Sequence, residues 1–99
     1  MTQQELVDIL EEHLLWIDSS GEEGKKADLS AKNLKRLNLR GADLSEADLR
    51  GVDLEGVDLE GVDLEDCQVM PGTTSIGNMK ITAYYECDKY WTVVSWQKK

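Results

Sequence analysis

Leucine falls at every fifth position from Leu29 to Leu64, eight times in succession. Two positions before each leucine stands a small or apolar residue, Ala27, Leu37, Ala42, Ala47, Val52, Val57 or Val62, with Lys32 as the one exception. Asp or Asn lies between the two in every unit. A helix repeats every ~3.6 residues and a strand every ~2, so neither explains a strict period of five. A fixed repeat predicts a stack in which each unit buries its apolar face against its neighbours. The stack covers residues 27–66, and a degenerate ninth unit over 67–71 extends the coil segment to Pro71.

The pattern changes on both sides. Leu6, Ile9, Leu10, His13, Leu14 and Ile17 lie at helical spacing, with Glu5, Asp8, Glu11, Glu12 and Asp18 mostly opposite them. Thr2 and Glu5 have the spacing of a capping box, and Gly21 can take a left-handed cap conformation. The spacing predicts a helix over residues 2–19 and a polar link to Lys26, the helix covering the open first layer of the stack. His13 and Trp16 are then read as part of that contact, because a lone His without a partner at ligand spacing is weak evidence for a metal.

After Pro71-Gly72 and the turn signal Gly77-Asn78, residues 80–87 and 90–96 are β-branched and aromatic and are separated by Asp88-Lys89. They predict a β-hairpin over 72–99. It holds Tyr84, Tyr85, Tyr90, Trp91 and Trp96, whereas the repeat has no aromatic residue. The hairpin either seals the far end of the stack or presents a contact surface. The expected organisation is one domain over 1–99: helix and link 1–26, coil 27–71, hairpin cap 72–99.

Charge changes the picture. The 99 residues carry a net −9, distributed as −5 over residues 1–26, −6 over 27–66 and +2 over 67–99. Such a balance argues against direct nucleic-acid binding and fits a basic protein partner. No apolar run reaches the ~18 residues of a membrane span, and the start lacks the pattern of a signal peptide. Two cysteines, Cys67 and Cys87, do not make a disulfide framework, so the expected setting is the cytoplasm.

The units resemble the pentapeptide-repeat family, with its pattern Ala-Asp/Asn-Leu-x-x. The resemblance implies a mainly β fold: a right-handed, quadrilateral parallel β-helix, here of about two coils, with the leucines and the residues two before them pointing inward. Cys67 would take the inward slot above Ala47, and Lys32 would pack its stem and send its amine to water. Four units per coil place residue n over n+20, about 4.8 Å away. Lys35 then meets Glu55 and Arg40 meets Glu60, while Asp28 lies over Asp48 and Ser30 over Arg50. Asp43 falls over Asp63 and Glu46 over Asp66, with Glu65 beside them, so one face stays strongly negative.

Catalysis needs a pocket with two groups in distinct environments, and periodic solvent-facing carboxylates supply neither. No calcium loop, phosphate loop, nucleophile–His pair or zinc spacing occurs, so no cofactor and no enzyme are expected. Two readings remain. In the first, Asp43, Glu46, Asp63, Glu65 and Asp66 imitate a nucleic-acid backbone and occupy a basic groove. Family members that shield a topoisomerase look like this, and a defence nuclease is the corresponding target if the origin is phage rather than bacterial. Two coils rise only ~10 Å and duplex DNA carries a charge every ~1.7 Å, so a homodimer or the acidic helix would have to lengthen the surface. In the second, the coil supports an interaction or scaffold module with Tyr85, Trp91 and Trp96 as the contact surface.

Overall fold

The computed structural model describes residues 1–98; Lys99, the last residue of the expected cap, lies outside them. Helix α1 spans Gln3–Asp18. The Thr2 hydroxyl accepts from the Glu5 N–H and the Glu5 carboxylate accepts from the Thr2 N–H, both at 3.1 Å, which completes the capping box. At the other end Ser20, at φ 56°, takes the left-handed position expected of Gly21, which follows at φ 89°. Ser20 N–H donates to Ile17 O and Gly21 N–H to Trp16 O, the paired closure of a Schellman motif. The link then folds back onto the helix, where Lys25 N–H donates to Glu12 O.

The repeat forms a β-helix-type coil. Parallel bridges join Asp28 to Asp48, Asn33 to Asp53, Asp43 to Asp63 and Asp48 to Gln68, each across twenty residues. Leu29 N–H donates to Asp48 O (2.9 Å) and Asp48 N–H to Ala27 O (3.0 Å), and the same pattern recurs at the other bridges. These are isolated bridges; the extended strands of the molecule are antiparallel and begin only in the ninth unit, at Gln68.

Every fifth residue turns a corner. Ala31, Arg36, Gly41, Glu46, Gly51, Gly56, Gly61 and Asp66 all have φ between 56° and 75°. One residue beyond each corner, an N–H donates back to the leucine carbonyl three positions earlier, as Lys32 does to Leu29 and Cys67 to Leu64. A positive φ at the third residue alone is the type II turn, for which glycine is favoured. That requirement explains the recurring Gly of the later units.

The leucines at every fifth position from Leu29 to Leu64 are buried, with Ala27, Ala47, Val57, Val62 and Cys67. Leu37, Ala42 and Val52, expected inside, are only half-buried against this core. Leu37 and Ala42 face the open end, which a single helix covers incompletely; Val52 lies beneath the exposed Lys32, whose carbonyl accepts from Asp53 N–H.

The cap exceeds a hairpin. Strands β1 (Gln68–Val69), β2 (Ser75–Ile76), β3 (Met79–Cys87) and β4 (Tyr90–Lys98) form one antiparallel sheet in the order β1-β4-β3-β2. The ninth unit thus opens a third coil with one side and passes its pairing to β4: Gln68 lies opposite Thr92 and Val69 opposite Trp91. Val93 N–H donates to Cys67 O and Asp66 N–H to Val93 O. Val69, Ile76, Met79, Ile81 and Val93 complete the core, with Trp91 and Trp96 half-buried against it.

Candidate functional site

Each Asp or Asn of the repeat does a local task first. In all eight units its Oδ1 accepts the N–H two residues on, at 2.9–3.1 Å, from Asp28 with Ser30 to Asp63 with Glu65. This is the Asx turn that leads the chain into each corner. Asn33 and Asn38 do it without charge. The acidity of the coil is therefore partly a consequence of turn chemistry, a signal the sequence carried in the Asp/Asn alternation.

Two faces are neutralised as the n+20 register requires. Lys35 Nζ lies 3.3 Å from Asp53 and 3.5 Å from Glu55. Arg40 lies 3.6 Å from Asp58 and 3.2 Å from Glu60. The hydrogen bond to Asp53 and the two negative charges raise the Lys35 amine above its usual range. A third pairing was not expected: Arg50 forks onto Asp48 with Nε at 2.9 Å and Nη2 at 2.7 Å. That fork is the chief reason the Asp48 carboxyl sits below the usual range. Asp28 is also lowered, mainly by the Ser30 hydroxyl and then by its N–H.

The remaining acids form the candidate site. Among the described residues none of Asp43, Glu46, Asp63, Glu65 and Asp66 takes part in an ion pair. The Asp43–Asp63 bridge stacks two of them, and Glu46 N–H donates to Glu65 O. Glu46 and Asp66 line one shallow groove of about 230 Å³ with Lys26, Gln68, Glu86, Tyr90 and Thr92. Asp43 lines another with Glu11 of α1. Glu11 and Glu86 were not singled out from the sequence, because neither belongs to the repeat. They extend the acidic strip from the helix across the coil to the sheet.

The aromatic residues are divided. Tyr85 is 65% exposed and its hydroxyl donates to Asp88 at 2.9 Å, a bond that raises the phenol above its usual range. Trp91 is its cross-strand partner, whereas Trp96 stands opposite Ile81 toward the other end of the ribbon. Both tryptophans rest partly on the core.

His13 joins the helix to the rim. It is fully buried, its Nδ1 accepts Ala27 N–H at 2.9 Å, and its Nε2 lies 2.8 Å from Ser45 O. Nδ1 as acceptor requires the Nε2–H tautomer, so the ring donates to Ser45 O. Trp16 stacks on it at 5.8 Å. Gln3 makes a similar pair, its amide donating to Asn38 O and accepting from Asn38 N–H. Both side chains stand where a preceding coil would have been. Cys67 is buried in its inward slot, and burial pushes its thiol up to about 12. Among the described residues no group of three or more His, Cys, Asp or Glu side chains is placed to hold a metal ion. Among the described residues no helix is long and apolar enough to cross a membrane.

A folded coil with a twenty-residue register, an Asx turn in every unit and a left-handed corner every fifth residue defines a class. Residues 26–67 match the family model for pentapeptide repeats in eight copies, so this segment is a run of pentapeptide repeats. No curated protein and no solved structure matches it significantly.

Proposed function

We propose that the chain is a non-enzymatic binding protein whose acidic strip takes the place of a nucleic-acid backbone in the basic groove of a DNA-handling protein. The observation that supports this reading is the segregation of charge. Cations from Lys35, Arg40 and Arg50 sit on carboxylates of other faces, and the face of Asp43, Glu46, Asp63, Glu65 and Asp66 has no ion pair among the described residues. Unpaired like charges repel one another, and a basic partner relieves that repulsion. Glu11 and Glu86 lengthen the strip beyond the two coils. The reading takes the coil as the right-handed square β-helix that the repeat implies, supported by its parallel bridges and regular corners. Two free cysteines fit a reducing, cytoplasmic setting.

The test uses a neutralised variant carrying Asp43→Asn, Glu46→Gln, Asp63→Asn, Glu65→Gln and Asp66→Asn, in which each Asx oxygen survives. Wild-type protein immobilised in bacterial lysate is expected to retain DNA-handling proteins that added duplex DNA or raised salt displaces. The variant should retain none of them. Capture that survives salt, duplex DNA and neutralisation would overturn the proposal.

The second reading rests on Tyr85, Trp91 and Trp96, and the exposure of Tyr85 favours it. It differs in outcome, since capture would then depend on Tyr85→Ala and Trp91→Ala and be indifferent to salt.

A further inference from the structure

Backbone pairing runs without a break from the first coil into the cap. Asp28 pairs with Asp48, Asp48 with Gln68, Gln68 with Thr92 and Thr92 with Tyr84. The coil's rims are closed by side chains or strands: Gln3 at Asn38, His13 at Ala27, Asn78 at Leu59 and β4 at Asp66 and Cys67. The outer edge of β3 is different. β2 covers it at Met79 and Lys80, and Ile81 N–H donates to Thr74 O. Among the described residues nothing pairs with that edge beyond Ile81.

The open edge continues from Thr82 to Tyr85, past a register shift at Thr82/Ala83 whose extra residue is Val94 of β4, and then meets a bulge at Glu86. Between Thr82 and Tyr85 it carries no charge and no proline, and among the described residues no segment covers it. Tyr84 and Tyr85 are 64% and 65% exposed, and alternate strand residues point to opposite faces. Among the described residues the β4 edge beyond Val93 is also unpaired, but Val94 forms a bulge there and Lys98 charges its end.

We infer that the β3 edge pairs with the β3 edge of a second copy, antiparallel about a two-fold axis at Tyr84. Charge selects this occupant. Residues 1–66 carry all the negative surplus of the chain and residues 67–99 are net +2, so two copies meet here with the least repulsion. An antiparallel edge is self-complementary about a two-fold axis, which gives a closed isologous contact. With the axis at Tyr84, the two Tyr84 rings are cross-strand neighbours on one face. On the other, Ala83 meets Tyr85 of the second copy, and the bulge at Glu86 ends the regular pairing there. The inference is independent of what the acidic strip binds.

Light scattering after gel filtration on the full chain tests it. The expected mass is twice the 11.1 kDa of one chain. Tyr84→Lys should return the protein to monomer with its circular dichroism and thermal melt retained, because it puts two charges side by side on a solvent-facing position. Leu14→Lys, which alters the exposed flank of α1, should leave the dimer intact. As a second approach, Tyr84→Cys in a Cys87→Ser background should give a disulfide-linked dimer on mild oxidation. A wild-type monomer at every concentration would overturn the inference. A dimer that is insensitive to Tyr84→Lys and dissociated by Leu14→Lys would overturn it too and place the contact at the helix.

Discussion

Asp63 illustrates how one residue carries two meanings. Its carboxylate gives the strip charge, and its Oδ1 accepts the Glu65 N–H at 2.9 Å. The two can be separated, because Asn33 and Asn38 make the same turn uncharged. Asp63→Asn is expected to leave the urea midpoint unchanged or slightly higher, whereas Asp63→Ala should cost about 1 kcal/mol by stranding a turn N–H. Equal losses for both would show that charge, not the turn, is what matters there. Gly24 is a second case, and nothing in the sequence marks it beyond its place in a polar link. At φ 70° a Cβ would lie 2.7 Å from Leu15 Cβ and 2.8 Å from Trp16 N, so the link can return to the helix only without a side chain. Gly24→Ala should destabilise the protein by about 2–4 kcal/mol through overpacking and left-handed strain, read from the denaturation midpoint.

Helix α1 matters less for the apolar area it buries than for the groups it satisfies. Leu6 and His13 are its buried residues, and its polar contacts with the coil go to the backbone of the rim through Gln3 and His13. A β-helix end leaves amides and carbonyls pointing at a coil that does not exist, and each such group costs free energy if buried without a partner. His13→Ala strands Ala27 N–H and Ser45 O together and should cost about 3 kcal/mol. Gln3→Ala, at an exposed site, should cost about 1 kcal/mol or less. Hydrogen exchange is the sharper measurement: protection should fall at Ala27 in the first variant and at Asn38 in the second. Unchanged exchange would mean the helix caps by apolar contact alone. The helix itself was legible from its capping box and apolar spacing. The His13 bonds were not, because partners 14 and 32 positions away obey no local rule.

For the molecule as a whole, acid sensitivity follows from the lowered carboxyls. Arg50 holds Asp48 down and Ser30 holds Asp28 down. A folded-state value below the unfolded one contributes stability that is complete above the ordinary carboxylate range, near ~4. It is lost as pH falls through the folded values. The urea midpoint should therefore hold from neutral pH to mildly acid pH and drop below it. The drop should be smaller in an Asp28→Asn, Asp48→Asn double variant, and an identical drop in both proteins would assign acid sensitivity elsewhere.

The sequence by itself determined the coil, its register and two of its ion-paired faces. A repeat makes each unit's neighbour a matter of arithmetic, so Lys35 had to meet Glu55 and Arg40 had to meet Glu60. It also set the limits of the helix to within a residue, through the Thr2 and Glu5 cap, and the existence of β3 and β4. What only the tertiary structure decided lies where the repeat stops. The pairing of Asp48 with Arg50 depended on a side chain turning back along its own strand. The joining of Glu11 and Glu86 to the acidic strip depended on where a helix and a sheet came to rest on the ends of the stack. The open edge of β3 arose because the ninth unit passed its hydrogen bonds to β4, and β4 to β3, with nothing among the described residues to receive them after Ile81. Contacts within a periodic stack are fixed by spacing; contacts at its ends are fixed by which unsatisfied backbone groups the flanking segments can reach.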